Sequence, residues 1–255
     1  SLTKEKDNYL LTLNLDKEWL NNAEFPVTID PTITNLQKDG SDVQDVYISS
    51  SLPNSNFDEL DSLFLGVADN GIRRVLLKFL LPTIGTASEV VGAKFYLRNR
   101  TESTIYESYL AEVHALTKDF NETTATWNNM HDKYESRIEA FDYVTRGYLG
   151  TSLVEFDITN LVKRWYAGKP NYGIMLKYND ESTIHTLDWF YSKTYDATEE
   201  DREAKRPFLV ITYRNLNGIE DYMSYQTLGF TDGYSYINNL TGNLTTTFNL
   251  NETIG

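Results

Sequence analysis

Apolar and polar positions alternate along much of this chain in short runs, and each run ends at a break rich in Asn, Asp, Ser or Gly. A period of two puts alternate side chains on opposite faces of an extended strand, so each run predicts a strand with one buried face. The pattern is densest over residues 45–81. Residues 46–49 (VYIS) and 64–67 (FLGV) are joined by a loop that carries Pro53, Asn54, Ser55 and Asn56, and Asp69-Asn70-Gly71 separates 64–67 from 75–79 (VLLKF). Asn-Gly between two such runs predicts a hairpin, because a tight turn needs positive φ and these residues tolerate it. Further strands are predicted at 9–15, 90–100, 106–116, 172–178, 188–195 and 207–213, and in the LVEFDI portion of 151–168. Pro26 and Pro31 make residues 26–33 an edge strand or an extended linker, since proline cannot donate to a sheet ladder.

Helical signals are sparse. Residues 17–25 predict one or two turns before Pro26. Over 159–168 the period changes: Leu161, Val162, Trp165 and Tyr166 share a helical face, with Thr159 as N-cap, Gly168 as the stop and Trp165 facing the core. Residues 118–130 are polar and threonine-rich around Trp127 and read as a loop with one aromatic anchor. The fold class implied is all-β, an antiparallel β-sandwich with one short helix and extended N- and C-terminal flanking segments. A parallel α/β fold would need crossover helices, and one short candidate does not supply them. The expected boundaries are 1–41 for N-terminal flanking strands and linker, 42–213 for the sandwich and 214–255 for a connector. Beyond Arg214 the chain is rich in Asn, Thr, Gly and Tyr, with a hairpin expected around Thr241-Gly242-Asn243.

Composition narrows the function. With 23 basic against 37 acidic residues the net charge is −14, which repels phosphate backbones and argues against nucleic-acid binding and against anionic membrane surfaces, and with no run of about 18 apolar residues we expect no membrane insertion. There is no cysteine, so disulfides, thiolate metal sites and a Cys nucleophile are excluded. The chain opens in mid-pattern and contains no signal-like apolar segment; we expect it to be a piece of a longer protein.

For catalysis the candidates are thin. His114, His131 and His185 show no metal spacing, no GxSxG elbow occurs, and Asp58, Glu59 and Asp61 are neighbours on one loop rather than partners across a cleft. We therefore expect no enzyme. A structural calcium would take oxygen ligands, and Asp42, Asp45 and Asp157 flank strands that could neighbour in a sandwich; Asp69 and Asn70 are a second candidate. For sugar binding, exposed rings beside amides are the signature, because sugar C–H faces pack on rings while hydroxyls need polar partners. The candidates are Trp127 with Asn128 and Asn129, and Trp189 with Tyr191. Against the first stands a structural role, with Trp127 plugging the sandwich end and the amides capping turns. The pair Arg73-Arg74 predicts an ion pair with a loop carboxylate.

Six pieces of the chain, in order, resemble the DNRLRE domain over about residues 42–213: DVYISSSLPNSNF, RRVLLKFLLP, GAKFYLRN, ATWNN, EFDITNLVKRWYAGKPNYGIMLKY and RPFLVITY. One position departs. Leu80 stands where that family has Asp, so any role of that carboxylate is not carried over. The flanks FPVTIDPTI and GIEDYMSYQTLGFTDGYSYINNLTGNL are similar to those in wall-associated and Rhs/YD-repeat proteins. The resemblance implies a jelly-roll sandwich in a large secreted or cell-surface bacterial protein, with its partners the neighbouring domains of the same polypeptide. In that setting the connector leads into a repeat region and a polymorphic toxin. The function implied is a non-catalytic structural or adhesive module. The alternative is a carbohydrate-binding module for a cell-wall or host polysaccharide, and some related jelly rolls hold a structural calcium.

Overall fold

The computed structural model describes residues 2–5, 8–11, 32–37, 42–68, 71–84, 88–100, 107–146, 153–182, 187–195, 205–215, 224–230, 233–239 and 244–248. The chain forms two compact units, Thr32–Leu216 and the combination of Ser1–Pro31 with Asn217–Gly255. In the second of these, β1 (Leu2–Glu5) and β2 (Asn8–Leu11) pair antiparallel. The helical turn expected over 17–25 lies outside the described residues.

The unit Thr32–Leu216 is an all-β sandwich of two antiparallel sheets. Its strands are β3 (Thr32–Gln37), β4 (Val43–Ser49), β5 (Ser62–Ala68), β6 (Gly71–Phe79), β7 (Ser88–Arg98), β8 (Glu107–Ala115), β9 (Ala140–Arg146), β10 (Leu153–Asp157), β11 (Ile174–Tyr178), β12 (Asp188–Tyr191) and β13 (Phe208–Asn215). The smaller sheet has the order β10-β7-β13-β3, so the sandwich takes in a strand that precedes the 42–213 span expected from sequence. The larger runs β12-β5-β6-β11-β8-β9, with β4 on the remaining edge of β6. β5 and β6 make the predicted hairpin, Ala68 opposite Gly71; Asp69 and Asn70 lie outside the described residues. Beyond that turn β5 leaves β6 and pairs with β12, Phe64 opposite Trp189, which curls the sheet. Gly66 sits where the partner changes, at φ 114°, a region that glycine enters without steric cost.

Between the sheets Val75, Leu77 and Phe79 of β6 and Val43 and Tyr47 of β4 meet Ala93, Phe95 and Leu97 of β7, Phe156 of β10, and Leu209 and Ile211 of β13. Each large side chain taken from water contributes about 1.5–3 kcal/mol. A second core covers the outer face of the same strands. Val46, Ile48, Leu76 and Met175 are roofed by Leu116, Phe120, Ala125 and Met130. Two-sided burial explains why VLLKF and GIMLKY read as nearly continuous apolar runs.

Two short helices complete the sandwich unit as described. α1 (Trp127–Met130) lies within the roof, where sequence predicts only loop; Asn129 Oδ1 accepts the Thr126 N–H at 2.9 Å and closes its first turn. α2 (Thr159–Tyr166) is the predicted helix, with Leu161, Val162 and Trp165 buried and Gly168 at φ 101° just past its end. Its lead-in differs from expectation. Thr159 is the first helical residue, and Asp157 Oδ1 accepts both its N–H at 2.9 Å and its hydroxyl at 2.6 Å. β9 was not predicted. Its rings Phe141 and Tyr143 face outward, while the alternate positions Ala140, Asp142 and Val144 are too weak an apolar set to signal a buried face.

The connector is more ordered than its composition suggests. β14 (Tyr225–Phe230), β15 (Gly233–Asn238) and β16 (Leu244–Phe248) form a three-stranded antiparallel sheet in the unit that holds β1 and β2. Ile237 opposite Leu244 is the expected hairpin, its tip at 240–243 lying outside the described residues.

Candidate functional site

The TWNN segment is built into the roof. Trp127 is half-buried, stacks on His131 at 5.4 Å, and receives the Arg74 guanidinium 5.0 Å from its ring centre. The amides are engaged locally: Asn128 Nδ2 donates to Asn54 Oδ1 at 2.7 Å, and Asn129 Nδ2 to the Thr124 carbonyl at 2.9 Å. Arg74 itself is 8% exposed, lies between Trp127 and Tyr134, and donates two 2.7 Å bonds to Glu181 just after β11. This is the ion pair expected of the arginine pair, fixing the roof to the sheet.

Trp189 and Tyr191 stand differently. They are alternate residues of β12, an end strand in the order of the large sheet, and so share a face. Between them Phe190 is fully buried, and before them Asp188, also buried, accepts the Tyr178 hydroxyl. The next residue, Ser192, bonds Leu60 and Asp61 carbonyls. The strand is thus pinned from below, while Trp189 is 40% exposed and leans on Phe64 at 5.7 Å. Tyr191 meets Tyr195 edge-on at 4.6 Å, and the Arg100 guanidinium and Lys205 ammonium lie 4.9 and 5.3 Å from the Tyr191 ring centre. Arg100 also bonds Ser62 at 2.7 Å and pairs with Asp61 at 3.0 Å. Burial opposes ionisation of Asp61, but hydrogen bonds from Ser62 and Arg100 and the guanidinium charge outweigh it and hold the carboxyl below its usual range. The result is an exposed indole next to a tyrosine ring that carries two cations, with an ionised acceptor nearby, a surface on which a sugar ring can stack on Trp189 while its hydroxyls find partners.

The three aspartates offered for calcium occupy different places. Asp157 caps the lead-in to α2, Asp42 precedes β4 and gives its carbonyl to Leu80 N–H, and Asp45 lies on β4 with 1% exposure. Among the described residues no three His, Asp or Glu side chains gather as a metal's ligand set. Asp45 instead adjoins a lysine. Its Oδ2 accepts the Lys193 N–H at 2.8 Å; the Lys193 ammonium bonds the Val43 carbonyl at 3.0 Å and Glu122 Oε1 at 2.6 Å; and Glu122 Oε2 accepts the Asp45 N–H at 3.1 Å. Asp45 Oδ1 is buried with no hydrogen bond. Desolvation, opposed by the bond from Lys193 and its charge, pushes the Asp45 carboxyl up to about 7. Nothing in the local pattern announces Glu122 or Lys193, since both arrive from loops far along the chain.

The two described histidines serve packing. His114 is buried with Nδ1 at 2.9 and 3.0 Å from the Glu135 and Arg137 carbonyls, and His131 Nδ1 bonds the Trp127 carbonyl at 2.8 Å. His185 lies outside the described residues.

Comparison with known proteins gives concordant results. The model of carbohydrate-binding module family 96 matches residues 37–213. The chain is 24% identical over 253 residues to the tRNA nuclease WapA of Bacillus subtilis strain 168. It is 25% identical over 254 residues to the tRNA3(Ser)-specific nuclease WapA of Bacillus spizizenii, and 24% over 253 to the tRNA(Glu)-specific nuclease WapA of Bacillus subtilis subsp. natto. Each match covers 91% of this chain and 10% of the relative, so the chain spans about a tenth of the length of these proteins. With the matched residues making up well over half its length, the chain belongs to carbohydrate-binding module family 96.

Proposed function

We propose that the sandwich is a non-catalytic carbohydrate-binding module that holds a cell-wall or host polysaccharide on the Trp189–Tyr191 surface. Family membership favours this over the purely structural or adhesive module that the DNRLRE resemblance first suggested. The observation that carries the site is the exposure of Trp189 on a strand whose other side chains anchor it, with Tyr191, Arg100, Lys205 and Asp61 around it. In our reading the module acts outside the cell, as one segment of a longer secreted or wall-associated bacterial protein of the Rhs/YD-repeat kind. The nuclease activity in the relatives' names then belongs to another part of such a protein. A segment of net charge −14 is poorly suited to hold a tRNA backbone.

Titration of the chain against a panel of cell-wall and host polysaccharides tests the reading. Trp189→Ala is expected to weaken binding at least tenfold, about 1.4 kcal/mol, without lowering the unfolding temperature. Binding that survives both Trp189→Ala and Tyr191→Ala unchanged sinks the assignment.

A further inference from the structure

Strand β9 turns two more rings to water. Phe141 is 67% and Tyr143 59% exposed, and Ile138 just before them is 46% exposed. The two rings are alternate residues of an extended strand, hence roughly 6.8 Å apart along one face. Facing them on β8 are Glu112, opposite Phe141, and Leu110, opposite Tyr143. The Lys177 ammonium lies 3.6 Å and His114 Nε2 3.4 Å from the Glu112 carboxylate. Beside Phe141 opens a shallow cleft of about 380 Å³, lined also by Ile138, Glu139, Ala140 and Asp157. Glu139, its side chain 1% exposed, pairs there with Arg164 and lies 3.6 Å from Arg137. A strand that turns Val144 and the partly buried Ala140 to the core while exposing its aromatic residues forgoes core stabilisation, and exposed apolar surface rimmed by polar groups marks an interaction site.

We infer that the Phe141–Tyr143 face is a second polysaccharide-binding site, separate from the one on β12. The inference rests on the carbohydrate-binding reading and extends it to a bivalent module. The size of the patch selects the occupant. The exposed parts of two aromatic side chains with Ile138 offer roughly 300 Å², against about 800 Å² per partner in a stable protein–protein interface. A single glycan strand needs only the ring faces and a few polar groups within reach, which Glu112, Arg137 and Asp157 provide. Two sites on one chain raise the apparent affinity for a long polymer above that of either site alone.

Affinity electrophoresis of the whole chain through gels cast with dextran, xylan, carboxymethylcellulose, hyaluronan or glycol chitosan reads the effect. For a polymer that retards the chain, the double variant Phe141→Ser, Tyr143→Ser is expected to weaken retention at least tenfold. Trp189→Ala is expected to weaken it separately, and the triple variant to migrate as in an empty gel. In the unsubstituted chain, NMR signals of the Phe141 and Tyr143 rings are expected to shift when an oligosaccharide of the same polymer is added. A double variant retained like the original chain, with those ring signals unmoved, overturns the second site and leaves the Trp189 surface standing. Loss of retention on Phe141→Ser, Tyr143→Ser with none on Trp189→Ala instead removes the β12 assignment and keeps this one. A chain retarded by none of these polymers overturns both. A dimer of the original chain that the double variant splits also overturns the second site, by making the face a contact between copies.

Discussion

Asp45 offers a direct test of how burial and charge are balanced in this sandwich. Its carboxyl is 1% exposed, one oxygen has no hydrogen bond, and the Lys193 ammonium is engaged by Glu122 and the Val43 carbonyl rather than by Asp45. In the folded state its pKa is raised from 3.8 to about 7, chiefly by desolvation. A group with a raised acid pKa holds its proton more tightly folded than unfolded, so between pH 4 and 7 the folded state binds more protons. Stability from this group is therefore intact below about pH 4 and falls as pH rises through 7. A shift of about three units at 1.36 kcal/mol each amounts to about 4 kcal/mol, a large share of a domain's typical 5–15. Asp45→Asn keeps an acceptor for the Lys193 N–H and removes the titration. Urea denaturation of both proteins from pH 4 to 8.5 is the assay, and only the difference between them matters, because exposed carboxylates titrate in both. The variant is expected to match the original near pH 4 and to exceed it by a few kcal/mol at pH 8. Parallel profiles would refute the reasoning. So would a variant less stable at pH 8, which would show that the ionised carboxylate is a net partner of Lys193.

Three further outcomes are expected. Gly173 adopts φ 92°, and a Cβ there would lie 2.4 Å from the Leu77 carbonyl oxygen, so Gly173→Ala should cost at least about 2 kcal/mol in chemical denaturation. Arg74→Met strands Glu181 beneath the roof and should cost about 3 kcal/mol, most of it recovered in Arg74→Met, Glu181→Gln; no recovery would mean that the ring contacts of Arg74 carry the effect. Trp127→Ala should lower the unfolding temperature by several degrees and leave polysaccharide affinity unchanged, and the reverse outcome would return the TWNN segment to the binding site.

The parts of the fold that depend on neighbours in sequence were legible. Asn70-Gly71 announces the hairpin, the switch of period at Thr159 announces α2, and residues 188–195 read as the strand that carries Trp189 and Tyr191. Contacts across the chain were not legible. Asp42, Asp45 and Asp157 look alike as acids beside strands, yet one lends its carbonyl to Leu80, one is buried against Lys193, and one bonds Thr159 at the start of α2. For Asp45 the outcome is decided by loops that return from 77 and 148 residues away. β9 was missed for a different reason. A strand is recognised by the apolar residues it hides, and this one displays them.

Among the described residues β4 pairs with β6 alone, so the backbone groups on its other side take no ladder bonds and need other partners. The Asp45 N–H and the Val43 carbonyl, two of those groups, are already taken by a carboxylate and an ammonium. An incoming strand would have to displace both charges from partly buried positions before forming its first ladder bond. The cluster therefore closes that side of β4 to strand addition, in keeping with the burial of Val43, Asp45, Val46 and Ile48.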